Sequence, residues 1–181
     1  LKELRGELHT FQSDILIVEG EVVDIFKTLL QYLYIEKVFS HQETGLRVTY
    51  NRDLQLEAFA KSLKTTSPEQ KFGWVEFVNN GVQRGLKNRN GWREDWEWFM
   101  KQPQLAFEPK EGQLLSIAHI IELSSQFMVP NLTAPSDATF QKGGTQMGLR
   151  YLTSFLEGAR YQKYNFTISK PSEARKSCSR L

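Results

Sequence analysis

The chain contains a single cysteine, Cys178, among its 181 residues. One cysteine cannot form an intramolecular disulfide, and no CxxC or Cys/His spacing typical of a structural metal site is present. Apolar runs such as "ILIV" and "LLQYLYI" are far shorter than the roughly 20 residues of a transmembrane helix, and residue 1 begins no signal-peptide pattern. We therefore expect a cytoplasmic protein without a membrane partner, and no pattern indicates an obligate protein partner.

Net charge is also small, at +2, which does not by itself indicate a nucleic-acid-binding protein. Its distribution is uneven, because residues 160–181 contain six lysines and arginines against one acidic residue, Glu173. Hydrophobic residues make up 40% of the chain and charged residues 24%, as in an ordinary globular protein. The basic residues of this segment are therefore candidates for contacts with an anion.

Short strand-like runs alternate with helical patterns before about residue 100. Three runs predict strands: "DILIVEG" at 14–20, "KVFSH" at 37–41 and "WVEFV" at 74–78. Helices are predicted between them, over 21–35 and 45–63. This alternation is typical of parallel βαβ units and predicts an α/β fold with a Rossmann-like, doubly wound sheet.

Residues 1–8, "LKELRGEL", have the pattern of the end of a helix with no strand before it. The predicted parallel sheet therefore lacks its first strand. In the helix over 45–63, four apolar residues can line one side: Leu46, Tyr50, Leu54 and Phe59.

Prolines interrupt the pattern between residues 101 and 137, where "LLSIAHIIELSS" could form only a turn or two of helix. A new helix is predicted from Ser136-Asp137, a plausible N-cap, with one apolar face made of Gly148, Leu152, Phe155, Leu156 and Ala159. Gly143 and Gly144 favour a turn or a close backbone approach. The predicted organisation is an α/β domain over 1–100, a linker over 101–137, and the start of a second, helical domain over 138–181.

The segment "FSHQETG" follows a predicted strand, at the end where open α/β sheets bind ligands. His41 and Glu43 could therefore contact a bound cofactor. Such a loop also needs polar side chains simply to cap a helix or complete a turn, so this alternative stays open.

Basic and aromatic residues alternate in "NNGVQRGLKNRNGWREDWEWF". Such interleaving suits phosphate contacts and base stacking. Trp92 and Trp96 are four residues apart, however, so they could instead pack a helix against the sheet.

The last residues, "PSEARKSCSRL", combine hydroxyl and cationic side chains. Ser177 and Ser179 can donate hydrogen bonds, and Arg180 can bind a phosphate through two bonds. This chemistry suits a diphosphate group, although a basic surface tail has a similar composition.

Four blocks occur in order: "FSHQETGLRVTYNRD", "NNGVQRGLKNRNGW", "KGGTQMGLRYLTSFL" and "YNFTISKPSEARKSCSRL". Together they resemble the DNA photolyase and cryptochrome family, particularly a bacterial cryptochrome-like subgroup, over essentially the whole chain. The resemblance implies an α/β antenna domain, incomplete at its start, followed by a linker and the beginning of an all-helical FAD-binding domain, cut within its flavin motif.

The resemblance also implies a flavoprotein that uses blue or near-UV light. A DNA photolyase repairs pyrimidine dimers in DNA by electron transfer from reduced FAD, whereas a cryptochrome signals without repair. A nucleotide-binding α/β module without flavin is a third interpretation. The 181 residues alone are expected to be inactive in repair.

Carried onto this chain, the resemblance assigns flavin contacts to Tyr164, Cys178, Ser179, Arg180 and Leu181. Cys178 stands where the family more often has threonine. The first domain of the family can also hold an antenna chromophore, which is a folate, a flavin or a deazaflavin.

Overall fold

A computed structural model describes residues 1–79, 81–131, 143–158 and 162. These residues form a mixed fold of helices and strands, and no helix among them is both long and apolar enough to cross a membrane. The elements are α1 (Lys2–Thr10), α2 (Val22–Tyr32), β1 (Lys37–His41), α3 (Arg47–Thr66), β2 (Gly73–Phe77), α4 (Trp92–Met100), α5 (Ile117–Ser124) and α6 (Thr145–Leu156).

Strands β1 and β2 form a two-stranded parallel sheet. Their register runs from Lys37 opposite Gly73 to His41 opposite Phe77. Parallel strands need a long crossover connection, and α3 provides it with 20 residues. The strand predicted at 37–41 is confirmed, and the one predicted at 74–78 forms one residue earlier.

The third predicted strand, at 14–20, does not form. Among the described residues only Glu19 pairs, in an isolated antiparallel bridge to Met128 with an N–H···O distance of 2.9 Å. A strand is stable only where a neighbour accepts its backbone hydrogen bonds. The apolar run "ILIV" is half-buried without such a neighbour, so the strand prediction is wrong in this structure.

The hydrophobic core lies between the sheet and helices α2 and α3. Leu56, Ala60 and Phe72 are buried at its centre. Phe72, at 1% exposure, meets two rings edge-on, that of Phe26 at 5.4 Å between centroids and that of Phe59 at 5.8 Å. Half-buried apolar residues surround this centre: Val22, Leu30, Ile35, Val38, Leu63 and Trp74.

Helix α3 buries a different face from the one predicted. Leu46, Tyr50 and Leu54 are exposed at 71%, 39% and 44%, whereas the buried positions of the helix are Asp53, Leu56 and Ala60. Both sets have helical spacing, so periodicity alone does not choose between them. Packing on the sheet decides the face, and of the predicted set only Phe59 joins the core.

The described residues belong to two compact units. One contains the sheet and comprises Leu16–Gln113 and Ala118–Pro130. The other comprises Leu1–Ile15, Leu114–Ile117 and the described residues from 131 onwards. The boundaries predicted from the sequence at residues 100 and 137 stay a prediction.

Helix α1 confirms the helical pattern expected at 1–8 and is tied to the turn that follows it. Arg5 donates two hydrogen bonds to the carboxylate of Asp14, and His9 Nε2 lies 3.3 Å from the same carboxylate. The bonds from Arg5 hold the pKa of Asp14 well below its usual range. In the same unit, buried Ser13 donates its hydroxyl hydrogen to the carbonyl of Leu115 at 2.7 Å.

Helix α6 begins directly after Gly144, whose φ of +119° and close neighbours both favour glycine. A Cβ there would lie 2.8 Å from Cδ of the Glu3 side chain, whereas nothing lies within 4 Å of the Cβ position at Gly143. Gly148, Leu152 and Phe155 are half-buried as expected, but Leu156 is 59% exposed. Ser136-Asp137 and Ala159, also part of that prediction, lie outside the described residues.

Helix α5 is the short helix anticipated between the prolines. It has eight residues and buries Ile120 and Leu123. Nearby, the hydroxyl of Tyr32 at the end of α2 donates a 2.8 Å hydrogen bond to Oε1 of Gln126.

Candidate functional site

A crevice of about 550 Å³ opens beside the parallel sheet, within the unit that holds the core. The first turns of α2 and α3 form one side of it, and side chains from one sheet face form the other. Its lining consists of Gly20, Glu21, Val22, Ile25, Phe26, Val38, Ser40, Val48, Thr49, Arg52, Asp53, Leu56 and Trp74.

The floor of the crevice has a fixed polar contact between the two strands. Trp74 Nε1 on β2 donates a hydrogen bond of 2.9 Å to Ser40 Oγ on β1. Trp74 stands opposite Val38, two residues before Ser40, so the bond joins diagonal neighbours on one face of the sheet. The indole ring packs against the core and lines the crevice. The bond also satisfies an indole N–H that would be costly to bury alone.

The α3 side of the crevice holds a buried carboxylate. Asp53 has a side chain only 9% exposed, and Arg52 donates from Nε at 2.9 Å and from Nη2 at 2.7 Å to its Oδ1. Arg52 itself is about half exposed, so its guanidinium reaches from the buried carboxylate to solvent. A ligand in the crevice would therefore meet, at this wall, a guanidinium whose charge is already balanced by Asp53.

His41 and Glu43, the cofactor contacts suggested by the sequence, do not line the crevice. Glu43 Oε1 accepts a 2.5 Å hydrogen bond from the backbone N–H of Gly45, which lowers the pKa of the Glu43 carboxyl. His41 is exposed at the end of β1. The alternative interpretation, that this loop uses polar side chains to complete its turn, is confirmed for Glu43.

The chemistry of the crevice is that of binding. Apolar walls with a few placed polar groups suit a largely apolar ligand with one polar edge. In the part of the chain that the structure describes, no cluster of His, Cys, Asp and Glu could hold a metal ion. Ser40, Arg52 and Asp53 were not predicted as site residues, because the sequence alone does not show which face of α3 meets the sheet.

Trp92 and Trp96 on α4 stack on one another, with ring centroids 6.4 Å apart and planes 23° apart. Both remain about two-fifths exposed, at 41% and 38%. Arg84, from the preceding loop, donates to the carboxylate of Glu76, which raises the pKa of the guanidinium, and lies 5.3 Å over the ring of Tyr50. Both contacts of Arg84 are made within the protein, so its guanidinium has a structural role.

The five residues assigned to flavin by resemblance, Tyr164, Cys178, Ser179, Arg180 and Leu181, lie outside the described residues. Their role stays a prediction. Comparisons with known proteins add nothing to it: no protein-family model, curated protein or solved structure matches the chain.

Proposed function

We propose that the chain is part of a light-dependent flavoprotein of the photolyase and cryptochrome family, namely a DNA photolyase that repairs pyrimidine dimers by electron transfer from reduced FAD. The four ordered sequence blocks support this proposal. Within the described residues, the crevice beside the two parallel strands is the observation that carries it. Open α/β sheets bind ligands in crevices at the carboxyl ends of their strands, and Ser40, near the end of β1, lines this crevice.

The proposal includes a Rossmann-like, doubly wound architecture for the first domain. Strand β1, helix α3 and strand β2 make one βαβ unit, which is the repeating element of such sheets. Helix α2 packs on α3 on the same face. A larger parallel sheet would extend this unit by further strands beside it.

In this proposal the crevice holds the antenna chromophore. The apolar surface of Trp74 and Phe26 would contact a folate, flavin or deazaflavin ring, and Arg52 would face its polar edge. Val48→Trp tests this, because Val48 lines the crevice yet is 77% exposed, so a large ring there should block the crevice without disturbing the core. Val75→Trp is the control, since Val75 is exposed and does not line the crevice.

The measurement is fluorescence titration of the chain with riboflavin, a deazaflavin and methenyltetrahydrofolate. We expect one of them to bind the parent and the Val75→Trp protein alike, and to bind the Val48→Trp protein at least tenfold more weakly. Equal binding by both variants would contradict a crevice site.

The proposed flavin motif is tested in the full-length gene product. Arg180 would bind the FAD diphosphate, and a charge-assisted hydrogen bond contributes about 1.5–3 kcal/mol. Arg180→Ala should therefore weaken FAD binding roughly ten- to a hundredfold. Arg175→Ala removes the same charge from the same segment and should leave FAD binding near the parent value. If instead Arg180→Ala lowers only the melting temperature, the residue has a structural role.

Repair activity separates the photolyase from its alternative. Full-length protein with reduced FAD should remove pyrimidine dimers from DNA under blue light and not in the dark. Photoreduction of the flavin without loss of dimers would instead identify a cryptochrome-type photoreceptor. Absence of bound flavin in the purified protein would contradict both.

A further inference from the structure

A second pocket, of about 510 Å³, lies at the start of helix α4, apart from the crevice. Its lining comes from the preceding loop and the first residue of the helix: Leu86, Lys87, Asn88, Arg89 and Trp92. It thus combines one large aromatic side chain with two cations and an amide.

The aromatic side chain that lines this pocket, Trp92, is supported by neighbouring residues. Trp92 stacks on Trp96, and Trp96 lies close against the backbone at Gly81. A Cβ at Gly81 would come within 2.8 Å of Trp96 Cδ1, and the residue has a φ of +68°, so a larger side chain there would be strained. Trp92 lines the pocket, whereas Trp96 does not. The 41% of Trp92 that remains exposed is therefore a pre-positioned stacking surface.

The two cationic side chains beside Trp92 are not paired with an acidic residue in the described part of the chain. Arg84 pairs with Glu76 and Arg93 with Glu97, but among the described residues Lys87 and Arg89 form no ion pair. No acidic residue lines the pocket. Two uncompensated positive charges next to an exposed indole favour a ligand that has both an aromatic ring and a negative charge.

We propose that this pocket binds one nucleotide unit, with its base stacked on Trp92 and its phosphate held by Lys87 and Arg89. Stacking of a base on an aromatic side chain tolerates any base, because each has a flat face, and the phosphate contact adds salt dependence. The site uses none of the residues assigned to flavin and none that line the crevice. It therefore stands whether or not the flavoprotein proposal does.

The test is titration of the chain with deoxyadenosine monophosphate, a ten-nucleotide oligothymidylate and inorganic phosphate, followed by calorimetry. We expect both nucleotides to bind more tightly than phosphate alone. Trp92→Ala should weaken nucleotide binding about 5- to 150-fold, from the range measured for base–aromatic stacking. Trp98→Ala is the matched control: Trp98 is on the same helix, 66% exposed and outside the pocket, so its loss should have no effect.

Salt dependence tests the phosphate contact. Arg89→Gln should reduce the slope of log affinity for the oligonucleotide against log salt by about 0.7, the value per neutralised phosphate in single strands. A mononucleotide that binds as tightly as the oligonucleotide would identify a free nucleotide as the ligand, and a tighter oligonucleotide would identify a nucleic-acid strand. Trp92→Phe keeps a stacking ring and should retain most of the affinity, which separates lost stacking from misfolding. Failure of both nucleotides to bind, or unchanged binding by Trp92→Ala, would overturn the proposal.

Discussion

Phe72→Ala is the substitution that tests the core most directly. The side chain is 1% exposed and has the rings of Phe26 and Phe59 packed edge-on against it. Truncation removes both ring contacts and leaves a cavity. Leu56 and Ala60 could fill that cavity only if α3 moved toward the sheet.

The expected cost follows from these contacts. Phe-to-Ala substitutions in cores cost about 3–5 kcal/mol, against a total free energy of unfolding of about 5–15 kcal/mol for a natural domain. Phe72→Leu keeps most of the apolar volume but loses both edge-to-face pairs, each worth about 0.5–1.5 kcal/mol. The leucine variant should therefore lose about 1–3 kcal/mol, clearly less than the alanine variant.

Urea unfolding followed by tryptophan fluorescence measures these losses, because Trp74 belongs to the same cluster. The midpoint should fall while the slope stays the same. Phe39→Ala is the control, since Phe39 is 62% exposed and its ring contacts that of Phe77 across the strands, a pair worth about 0.2–1 kcal/mol. If Phe39→Ala costs as much as Phe72→Ala, the core has been assigned to the wrong face of the sheet.

Three further predictions concern the backbone and polar contacts. Asp14→Asn should lower the melting temperature at pH 7. The difference in melting temperature between variant and parent should shrink as the pH falls below about 4, because a carboxyl whose pKa is depressed in the folded state loses its stabilising effect only below its unfolded pKa. Gly81→Ala should lower the free energy of unfolding in urea by more than Gly85→Ala. Both glycines have a positive φ, which costs an alanine about 1–2 kcal/mol, but only at Gly81 would the new Cβ also clash with a neighbouring side chain. A double-mutant cycle of Ser40→Ala and Trp74→Phe should give a coupling of about 0.5–1.5 kcal/mol, and additive effects would show that the bond between them contributes nothing.

Elements whose pattern is local were predictable from the sequence. Strand β1 forms at the five residues expected, and α2 lies within the predicted 21–35. Their apolar residues recur with the right period and are bounded by polar residues, so the chain itself contains the signal. The mixed helix-and-strand class follows from these elements.

Features that depend on a partner were not predictable. The segment 14–20 has strong strand propensity, but propensity is expressed only where a neighbouring strand completes the ladder. The buried face of α3 depends likewise on the sheet beneath it. Apolar residues occur on both sides of that helix, and only packing shows that Leu56 is buried while Leu54 is exposed.

The crevice could not be predicted for a related reason. Ser40 and Trp74 come from different strands, and Arg52 and Asp53 from the helix between them, so no stretch of sequence contains the site. The loop after β1 has residue types that suit ligand binding. In the structure, the carboxylate of Glu43 is already used by the turn.

The composition of the two faces of the sheet bears on whether helices would cover one face or both. Val38 and Trp74 pack on the core, whereas Phe39, Val75 and Phe77 on the opposite face are exposed at 62%, 36% and 53%. Strands of parallel sheets are normally apolar on both faces because helices cover both. A sheet that met solvent on one side would instead alternate apolar and polar residues. Two phenylalanines and a valine on the uncovered face, beside Lys37 and His41, are more apolar than a solvent-facing sheet requires, and this composition is compatible with the architecture proposed for this domain.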